Sequence, residues 1–439
     1  MDVSALLTKY DMPVPRYTSY PTAVHFNHNV SQNEYANWLG ALSTDKPVSL
    51  YVHIPFCHIL CHYCGCHTKV VNSYNPVKAY VQTLVKEIHL VGKKMTGTVS
   101  ISQMHFGGGS PNLLEAEDLK DILDALKQYF SFDENTAIAL EADPRLLDEK
   151  KIDGLIQNGV TRISLGVQDF DPKVQEAVNR IQPFKKIKEC VQSLRNAGIE
   201  QLNFDLMIGL PLQTVKSIEK NVELAVSLSP DRFAVFAYAH VPWMKKQQKL
   251  LEKYPMPETR ERFDMVACVK RGLEASGYQA IGIDHFAKKE DSLFQHLEHK
   301  TLRRNFQGYT DDQAESIISF GLSSITSFRG AYVQNTTDAP TYRSSIEAGA
   351  FPITRGVVLG DEDIVRRSVI EQIMCGYKTD VSVYPELQQT LKEFQEDGLI
   401  DIDGSCISIT KEGWPFARIV ASSFDGYFEP KEGQHARAV

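Results

Sequence analysis

The chain has 439 residues, of which 43% are hydrophobic and 23% charged, a balance typical of a folded globular protein with one large domain. Its formal net charge of −8 disfavours a general surface for nucleic acid. It has no apolar run of about eighteen residues and no secretory signal pattern at its start, so we expect a cytoplasmic protein without membrane insertion.

Apolar strand-like runs alternate with periodic helix-like segments from residue 49 onward. The predicted strands cover 49–54, 100–106, 136–142, 162–167, 201–208, 232–239 and 278–283. The predicted helices lie near 77–91, 115–129, 147–158, 214–228 and 258–276, with further helical segments ending near 197. Repeated βα units with apolar strands predict an α/β fold with a parallel sheet covered by helices, and six units predict a partial (βα)6 TIM-like barrel.

Segments of different character flank this core. We predict an N-terminal extension at 1–45, the barrel at 46–290, a connecting segment that completes the active site at 291–354, and a small, mostly helical C-terminal domain at 355–439. The last part has a winged-helix-like pattern, with helices near 361–375 and 385–397, strands around LIDID and CISIT, and a final helix from about Lys411. Its acidic stretch LKEFQEDGLIDIDG disfavours attraction to phosphates.

Residues capable of chemistry fall at the C-terminal ends of the predicted strands. In a parallel βα barrel, the loops after the strands open onto one face, where active sites form. Four cysteines follow the first strand, and a triple glycine follows the second. Glu141 and Asp143 close the third strand, Gln168 and Asp169 follow the fourth, and Asp205 lies late in the fifth. We therefore expect these groups to line one site at the mouth of the barrel.

The segment CHILCHYCGC places four of the eight cysteines within residues 57–66. Structural zinc sites usually join two separated ligand pairs, and no second pair follows, although His58, His62 and His67 could compensate. A cubane iron–sulfur cluster needs about three or four thiolates, and three would leave one iron open to a ligand. A disulfide is disfavoured in a reducing compartment. We expect the remaining cysteines to be buried, reduced thiols: Cys190, Cys268, Cys375 and Cys406.

The spacing C-x3-C-x2-C after the first strand of a partial barrel, with Tyr63 before the third cysteine, resembles the radical S-adenosylmethionine (SAM) signature. The resemblance implies that Cys57, Cys61 and Cys64 bind one [4Fe–4S] cluster, whose fourth iron is chelated by SAM. It also implies that an electron from the cluster releases a 5′-deoxyadenosyl radical, which can take hydrogen from an unactivated C–H bond. Cys66 is not a ligand by this resemblance.

Further motifs, spread over most of the chain, resemble the oxygen-independent coproporphyrinogen III oxidase family. They are PRYTSYPTA (15–23), SLYVHIPFC (49–57), HFGGGSP (105–111), EADPR (141–145), GVQDFDPKVQEAVNRIQ (166–182), FDLMIGLP (204–211), FAYAHVP (236–242), GIDHFA (282–287), RNFQGYT (304–310) and the C-G-C that ends at residue 66. The resemblance implies oxidative decarboxylation of two propionates of coproporphyrinogen III to vinyl groups, giving protoporphyrinogen IX in haem biosynthesis. A monomer reduced by flavodoxin or ferredoxin is the expected form.

The same resemblance implies two SAM molecules. Residues at the family's positions for the first are Tyr51, Gly108, Glu141 and Ile325. Those for the second are Tyr63, Gly109, Ser110, Gln168, Arg180, Asp205 and Ala239. Without the resemblance, the glycines indicate a tight turn and Arg180 a solvated helix surface, whereas a carboxylate within an apolar strand, such as Asp205, already requires a partner.

Two other functions compete with this prediction. One is a haem chaperone on the same scaffold, and the other is a radical methyltransferase or haem-degrading enzyme. The chaperones typically lack PRYTSYPT and have an aromatic residue where Cys66 stands, so this chain is less similar to them. The tetraanionic substrate needs cations, and we expect Arg16 and either Arg303 or Arg304 to help supply them.

Overall fold

The structure is a computed structural model that describes residues 2–429. Two helices precede the barrel, α1 (Val3–Tyr10) and α2 (Gln32–Gly40). Ser31 begins α2 with a capping box, in which its hydroxyl accepts from the Glu34 N–H and the Glu34 carboxylate accepts from the Ser31 N–H. None of the helices within the described residues has the length and apolarity of a membrane span.

Strands and helices then alternate to about residue 290, as the sequence predicts. The strands are β1 (Val48–Ile54), β2 (Phe56–Cys57), β3 (Lys69–Val70), β4 (Val99–Gly108), β5 (Phe130–Ser131), β6 (Ala137–Ala142), β7 (Arg162–Gln168), β8 (Gln201–Ile208), β9 (Arg232–Ala237), β10 (Gln279–Ile281) and β11 (His285–Ala287). The helices are α3 (Asn75–Gly92), α4 (Ala116–Lys127), α5 (Glu149–Gln157), α6 (Pro172–Ala177), α7 (Phe184–Asn196), α8 (Val215–Ser227) and α9 (Thr259–Ala275).

Six strands form the parallel core of the sheet, in the order β1-β4-β6-β7-β8-β9. Their apolar side chains, such as Val52, Phe106 and Leu140, are fully buried, as expected for strands covered by helices. The predicted partial (βα)6 barrel is therefore confirmed. Because each strand runs the same way, the loops that follow them all open at one end.

The predicted seventh strand, 278–283, is wrong in length and direction. Only β10 forms there, and it pairs antiparallel with β11, which itself pairs antiparallel with β9. Gly282 ends the strand with a φ of +58°, and a Cβ at this position would lie 1.9 Å from the Tyr309 ring. The aromatic ring and the left-handed turn together stop the strand.

The connecting segment folds into more regular structure than predicted. It contains α10 (Ser292–Glu298), β12 (Arg303–Asn305), β13 (Gly308–Thr310), β14 (Ile317–Phe320), β15 (Ile325–Phe328), β16 (Ala331–Asn335), α11 (Ala339–Glu347) and β17 (Ile353–Val358). Strand β14 pairs parallel with β1, and β15 to β17 continue the sheet antiparallel. This extension brings Ile325 to the side of the barrel that carries Tyr51.

The C-terminal part contains α12 (Asp361–Cys375), β18 (Thr379–Asp380), α13 (Gln388–Glu396), β19 (Ile400–Asp403), β20 (Cys406–Ile409) and α14 (Ala417–Ser422). The final helix begins later than predicted from Lys411, because residues 414–416, which include Pro415, form a 3₁₀ turn before it. Side chains of α1 pack into the apolar core of this part. The chain division at residues 45, 290 and 354 stays a prediction, and residues 430–439 lie outside the described residues.

Three of the four scattered cysteines are buried free thiols, as predicted: Cys190, Cys268 and Cys375. Cys406 is also a free thiol, but it is partly exposed. It opens β20, the central strand of a small three-stranded sheet, and lies opposite Asp380 and Asp403, both of which are exposed. Its predicted burial is therefore wrong.

A buried polar network joins α3 to the strands that extend the barrel. Glu87 is 1% exposed and accepts hydrogen bonds from the Tyr342 hydroxyl at 2.6 Å, the Asn335 side chain at 2.6 Å and the Gly321 N–H at 2.8 Å. A buried carboxyl group is tolerated only when such partners replace water. The network therefore fixes the position of β14 to β16 against the barrel.

We predict that Tyr342→Phe lowers the free energy of unfolding by about 1–3 kcal/mol, because it removes one of the two donors to a single oxygen of the buried Glu87 carboxylate and leaves only the Gly321 N–H there. Urea denaturation followed by circular dichroism measures this change. Tyr384→Phe is the matched control, since the Tyr384 hydroxyl is buried without a hydrogen-bond partner among the described residues. Equal losses in the two variants would contradict the role given to the Glu87 network.

Candidate active site

A cavity of about 540 Å³, which we call the central cavity, opens at the C-terminal ends of the barrel strands. All four clustered cysteines line it, together with groups from the ends of β4, β6, β7, β8 and β9. Glu141, Asp143, Gln168 and Asp205 face this space, as expected. Asp169 does not, because its buried carboxylate instead accepts from Gln213 and Asn221, so its predicted place at the mouth is wrong.

A second cavity, of about 300 Å³, adjoins the first on the side of β1. Both are lined by Cys66, Gly108 and Glu141. The predicted residues divide between them. The residues expected at the first SAM all line the second cavity: Tyr51, Gly108, Glu141 and Ile325. The residues expected at the second SAM all line the central cavity: Tyr63, Gly109, Ser110, Gln168, Arg180, Asp205 and Ala239.

The cysteine sulfurs lie among hydrogen-bond donors. Cys57 Sγ is 3.1 Å from the Thr68 hydroxyl and 3.6 Å from that of Ser110. Cys61 Sγ is 3.5 Å from a guanidinium nitrogen of Arg180 and 3.9 Å from one of Arg145. Within residues 2–429, no compact group of three His, Cys, Asp or Glu side chains is arranged to hold a single metal ion.

Cys64 and Cys66 interact with each other. A hydrogen bond with Cys66 lowers the pKa of the Cys64 thiol and raises that of Cys66. Burial, by contrast, raises the pKa of the Cys57 thiol, and its hydrogen bonds only partly offset this effect. Cys64 is therefore converted to the thiolate form more readily than Cys57 or Cys66.

Two neighbouring loops hold the backbone of the cysteine loop. The side chains of Lys245, Gln247 and Gln248 donate to the carbonyls of Cys66, Cys64 and Tyr63, at 2.8, 2.8 and 2.9 Å. On the other side, the Asn179 side chain donates to the Leu60 carbonyl at 2.9 Å, and the His62 N–H donates to the Val178 carbonyl at 3.0 Å. These bonds replace the regular pairing that a loop lacks.

Arg180 is the central cation of the mouth. Its guanidinium is buried and donates to the Gly166 carbonyl at 2.6 Å, besides its contacts with Cys61 and with Asp143 at 3.4 Å. Asp143 also receives a bidentate interaction from Arg145, at 2.6 and 2.9 Å. Arg180 is therefore a buried, paired cation and not the solvated helix residue that its local sequence suggests.

The triple glycine brings the backbone close to its neighbours. Gly108 has a φ of +121°, and a Cβ there would lie 2.8 Å from the His53 ring. A Cβ at Gly109 would lie 2.5 Å from the Phe56 carbonyl oxygen. Only glycine fits both positions, so the turn presents bare backbone to both cavities.

Glu141 is held in place between these cavities. Its carboxylate accepts from the Gly108 N–H and contacts the His105 ring, both at 3.1 Å. Burial raises the pKa of Glu141, but the hydrogen bonds with His105 and Gly108 outweigh it and keep the pKa below the usual range. His105 was not singled out from the sequence, although it alternates with Gln103 and Gly107 along β4.

Asp205 and Gln168 carry polar oxygens into the central cavity. Asp205 accepts from the Asn203 side chain at 2.7 Å and the Ser164 hydroxyl at 3.1 Å, while burial and the negative charge of Glu141 raise its pKa to about 7. Gln168 has a φ of +66°, and its buried Oε1 atom has no hydrogen-bond partner among the described residues. A buried acceptor without a donor is suited to a ligand N–H or O–H.

The three arginines predicted to meet the substrate differ in position. Arg16 lines the central cavity and donates to the Ala237 carbonyl at 2.8 Å. Arg303 pairs with Glu371 at 2.8 Å, and both Arg303 and Arg304 line a different cavity. Arg304 is buried with its guanidinium 4.3 Å from the centre of the Tyr309 ring. The structure therefore favours Arg16 for direct contact.

Patterns from known protein families match two parts of the chain. The radical SAM superfamily matches residues 51–225, which include the cysteine loop, the triple glycine, Glu141, Arg180 and Asp205. The HemN C-terminal domain matches residues 360–416. The first match spans the strands that build the central cavity, and the second covers most of the small C-terminal part.

Similar proteins extend this relationship over nearly the whole chain. The oxygen-independent coproporphyrinogen III oxidase of Bradyrhizobium diazoefficiens is 40% identical over 437 residues, 97% of each chain. The anaerobic coproporphyrinogen III oxidase 1 of Cereibacter sphaeroides is 40% identical over 441 residues, 98% of this chain and 97% of that protein. The structure of coproporphyrinogen III oxidase (HemN) from Escherichia coli, a radical SAM enzyme, is similar with a TM-score of 0.89, 32% identity, and coverage of 97% and 99%. The chain belongs to the oxygen-independent coproporphyrinogen III oxidase family of radical SAM oxidoreductases.

Proposed function

We propose that the protein converts coproporphyrinogen III to protoporphyrinogen IX in haem biosynthesis, by oxygen-independent oxidative decarboxylation of two propionates to vinyl groups. Two SAM molecules would be cleaved to 5′-deoxyadenosine and methionine for each substrate molecule. The observation that carries this proposal is the division of the predicted SAM residues into two adjoining cavities beside the cysteine loop. One cofactor alone would not require both groups of residues.

The residues of the cysteine loop fit one [4Fe–4S] cluster. Cys57, Cys61 and Cys64 line a single cavity and would hold it through three thiolates. Arg145 and Arg180 point toward Cys61, where their positive charges offset the negative charge of bound thiolates. When bound, the cluster and SAM supply an electron and a primary carbon radical, which removes hydrogen from a carbon that no side-chain base can deprotonate.

The two cavities offer complementary groups for two SAM molecules. In the cavity beside β1, Glu141 provides an anionic acceptor for hydroxyl groups, and Tyr51 and Ile325 provide apolar walls. In the central cavity, Gln168 provides its free acceptor, and Asp205 an acceptor for an amino or hydroxyl group. Arg180 is suited to a carboxylate. The glycine turn would allow both cofactors to approach the backbone closely.

Arg16 would bind a propionate that does not react. Burial and the neighbouring positive charge of Arg304 lower the pKa of Arg16, and the negative charge of Asp284 offsets them only in part. Burial and the positive charge of Arg16 lower the pKa of the neighbouring Arg418 to about 10. An added carboxylate would relieve this excess of positive charge.

We also propose the cellular setting that the sequence suggests. The protein would act in the cytoplasm as a monomer, with its cluster reduced by a flavodoxin or ferredoxin.

The N-terminal extension (1–45) would help to close the cavity around the substrate, because Arg16 already lines it. The connecting segment (291–354) would complete the first SAM site through Ile325, which lies on β15. Residues 46–290 would then form the radical SAM barrel, and residues 355–439 the C-terminal domain.

The central experiment is anaerobic reconstitution with iron and sulfide, followed by SAM, coproporphyrinogen III and a reductant. We expect about two molecules of 5′-deoxyadenosine for each divinyl product, because each propionate needs one hydrogen abstraction. Chromatography with mass spectrometry measures both compounds. A reconstituted [4Fe–4S] protein that releases no carbon dioxide, or that only binds haem, would contradict the proposed function.

We predict that Cys57→Ser, Cys61→Ser and Cys64→Ser each lose most of the bound iron and sulfide, because three thiolates are the fewest that hold the cluster. Iron and sulfide analysis with electron paramagnetic resonance of the reduced protein measures the loss. Cys66→Ser and Cys190→Ser are the controls, and both should keep the cluster. A Cys66→Ser variant that lost it would show that this residue is a ligand.

We predict that Arg16→Gln raises the KM for coproporphyrinogen III about tenfold or more, since a charge-assisted hydrogen bond contributes about 1.5–3 kcal/mol. Steady-state kinetics at saturating SAM measures the change. Arg303→Gln is the matched control, because Arg303 pairs with Glu371 outside the cavity. An unchanged KM for Arg16→Gln, or an equal increase in both variants, would dismiss this role.

A further inference from the structure

His285 lines the central cavity but holds neither the cluster nor SAM in the proposed function. It lies on β11, opposite Ala234 of β9, and its side chain is only 10% exposed. Its Nδ1 atom is 2.6 Å from the carboxylate of Asp284, the preceding residue. A histidine that is oriented by a buried carboxylate and faces a cavity is typical of a functional site. We call these two residues the Asp–His pair.

The hydrogen bond within the Asp–His pair leaves one ring nitrogen for a ligand. Because a carboxylate accepts, Nδ1 carries the proton, and Nε2 of the neutral ring remains as an acceptor. Nε2 of His285 makes no hydrogen bond to any group within residues 2–429. The cavity therefore contains a second oriented acceptor without a donor, besides the Oε1 atom of Gln168.

The neighbours of His285 hold its ring and keep the Nε2 edge open. The rings of Phe236 and Tyr309 pack against it edge to face, with centroids 6.1 and 5.4 Å from that of the imidazole. Gly308 has a φ of +112°, and a Cβ there would lie 3.0 Å from Cε1 and 3.2 Å from Nε2 of His285. A side chain at this position would cover the acceptor, so the glycine keeps Nε2 accessible.

The charges around Asp284 favour the neutral form of His285. A guanidinium nitrogen of Arg304 lies 3.8 Å from the Asp284 carboxylate, and Arg16 and Arg418 also interact with this negative charge. Three guanidinium groups already exceed the single carboxylate, so a further positive charge on the ring is disfavoured. His285 is therefore suited to an N–H donor, whereas Arg16 is suited to a carboxylate.

We propose that His285 Nε2 accepts hydrogen bonds from the pyrrole N–H groups at the centre of the reduced tetrapyrrole, and that Asp284 is the positioning residue that fixes this acceptor. The inference rests on the proposed function, because it concerns how the same cavity recognises its substrate. Arg16 donates to the carbonyl of Ala237, beside Phe236, and so lies on the same wall as His285. It would bind a propionate at the rim while His285 binds the centre.

An acceptor at this place distinguishes a reduced tetrapyrrole from an oxidised one. The carbons that bridge the pyrrole rings of a porphyrinogen are saturated, so the rings can tilt and direct their N–H groups to one atom outside the macrocycle. An oxidised porphyrin is flat, and its N–H groups point inward toward the other ring nitrogens. The propionates are the same in both forms. A site that depends on an N–H therefore rejects the oxidised form, whereas a site that binds only propionates does not.

The test changes the Asp–His pair in the reconstituted holoenzyme. His285→Phe removes the acceptor, and His285→Gln keeps an acceptor oxygen on a side chain of similar reach. Asp284→Asn keeps the shape but can donate to Nδ1, which moves the ring proton to Nε2 and turns the acceptor into a donor. His89→Gln is the matched control, because His89 contacts the Tyr129 hydroxyl and lies on α3, outside the residues that line either cavity.

Anaerobic equilibrium titrations measure the dissociation constants of coproporphyrinogen III and of oxidised coproporphyrin III. We expect His285→Phe and Asp284→Asn each to weaken binding of the reduced form about tenfold or more and to leave binding of the oxidised form nearly unchanged. His285→Gln and His89→Gln should keep the preference for the reduced form. Arg16→Gln should weaken binding of both forms equally, because both carry the same propionates.

A double variant separates positioning by Asp284 from a merely structural role. In the His285→Gln background, Asp284→Asn should cause no further loss of the preference, since the acceptor no longer depends on a ring tautomer. A further tenfold loss there would overturn the role of Asp284. If His285→Phe does not fold, Asp284→Asn, which has the same shape as the natural residue, decides the question.

Three results would overturn the proposal as a whole. They are equal affinities of the unchanged protein for the two tetrapyrroles, equal weakening of both by Asp284→Asn, and a loss of SAM affinity in the His285 variants. A protein that prefers the reduced form in the expected, His285-dependent way but makes no divinyl product would contradict only the proposed function.

Discussion

The buried guanidinium of Arg180 is the interaction on which the mouth of the barrel depends. A buried cation costs several kcal/mol unless it is fully paired, and its partners here come from the third strand end, the fourth strand and the cysteine loop: Asp143, Gly166 and Cys61. A Cβ at Gly166 would lie 2.8 Å from this guanidinium, so a larger residue there would displace the end of the Arg180 side chain. One charge thus positions three separate segments before any ligand binds.

The barrel could be predicted because its strands are continuous apolar runs separated by periodic helices, and this pattern has few other solutions. The extension of the sheet by β14 to β17 could not be predicted, because its strands bury polar side chains and so lack a continuous apolar pattern. Ser319, Gln334 and Asn335 are all less than 9% exposed. Asn335 is satisfied by Glu87, 248 residues earlier in the chain, and such long-range pairing leaves no local signal.

The site was predictable in outline and not in detail. The motifs assign two groups of residues, and each group lines one of two adjoining cavities, which share Gly108 and Glu141. The contacts of these residues with cofactors stay predictions. Arg303 and Arg304 are neighbours in sequence and could not be told apart, because the partner that occupies Arg303 is Glu371, on α12. The position of His105 in the site, in contrast, could have been predicted from its alternation with Gln103 and Gly107 along β4. Arg145 follows Asp143 by two residues, but no pattern in the sequence indicated that it would pair with Asp143 beside the cysteines.

The two ends of the described chain pack against each other. Tyr10 lies with its ring centroid 6.0 Å from that of Phe416, and the Tyr17 hydroxyl donates to Asp425 at 3.1 Å. On the ribosome, α1 emerges some four hundred residues before these partners. Until they emerge, the apolar face of α1 has only α9 beside it, and the nearby segment with Arg16 is held through Ala237 and Arg304 alone. The cavity wall is therefore finished only when translation is nearly complete, so a prematurely terminated chain could form most of the barrel yet lack an ordered entrance.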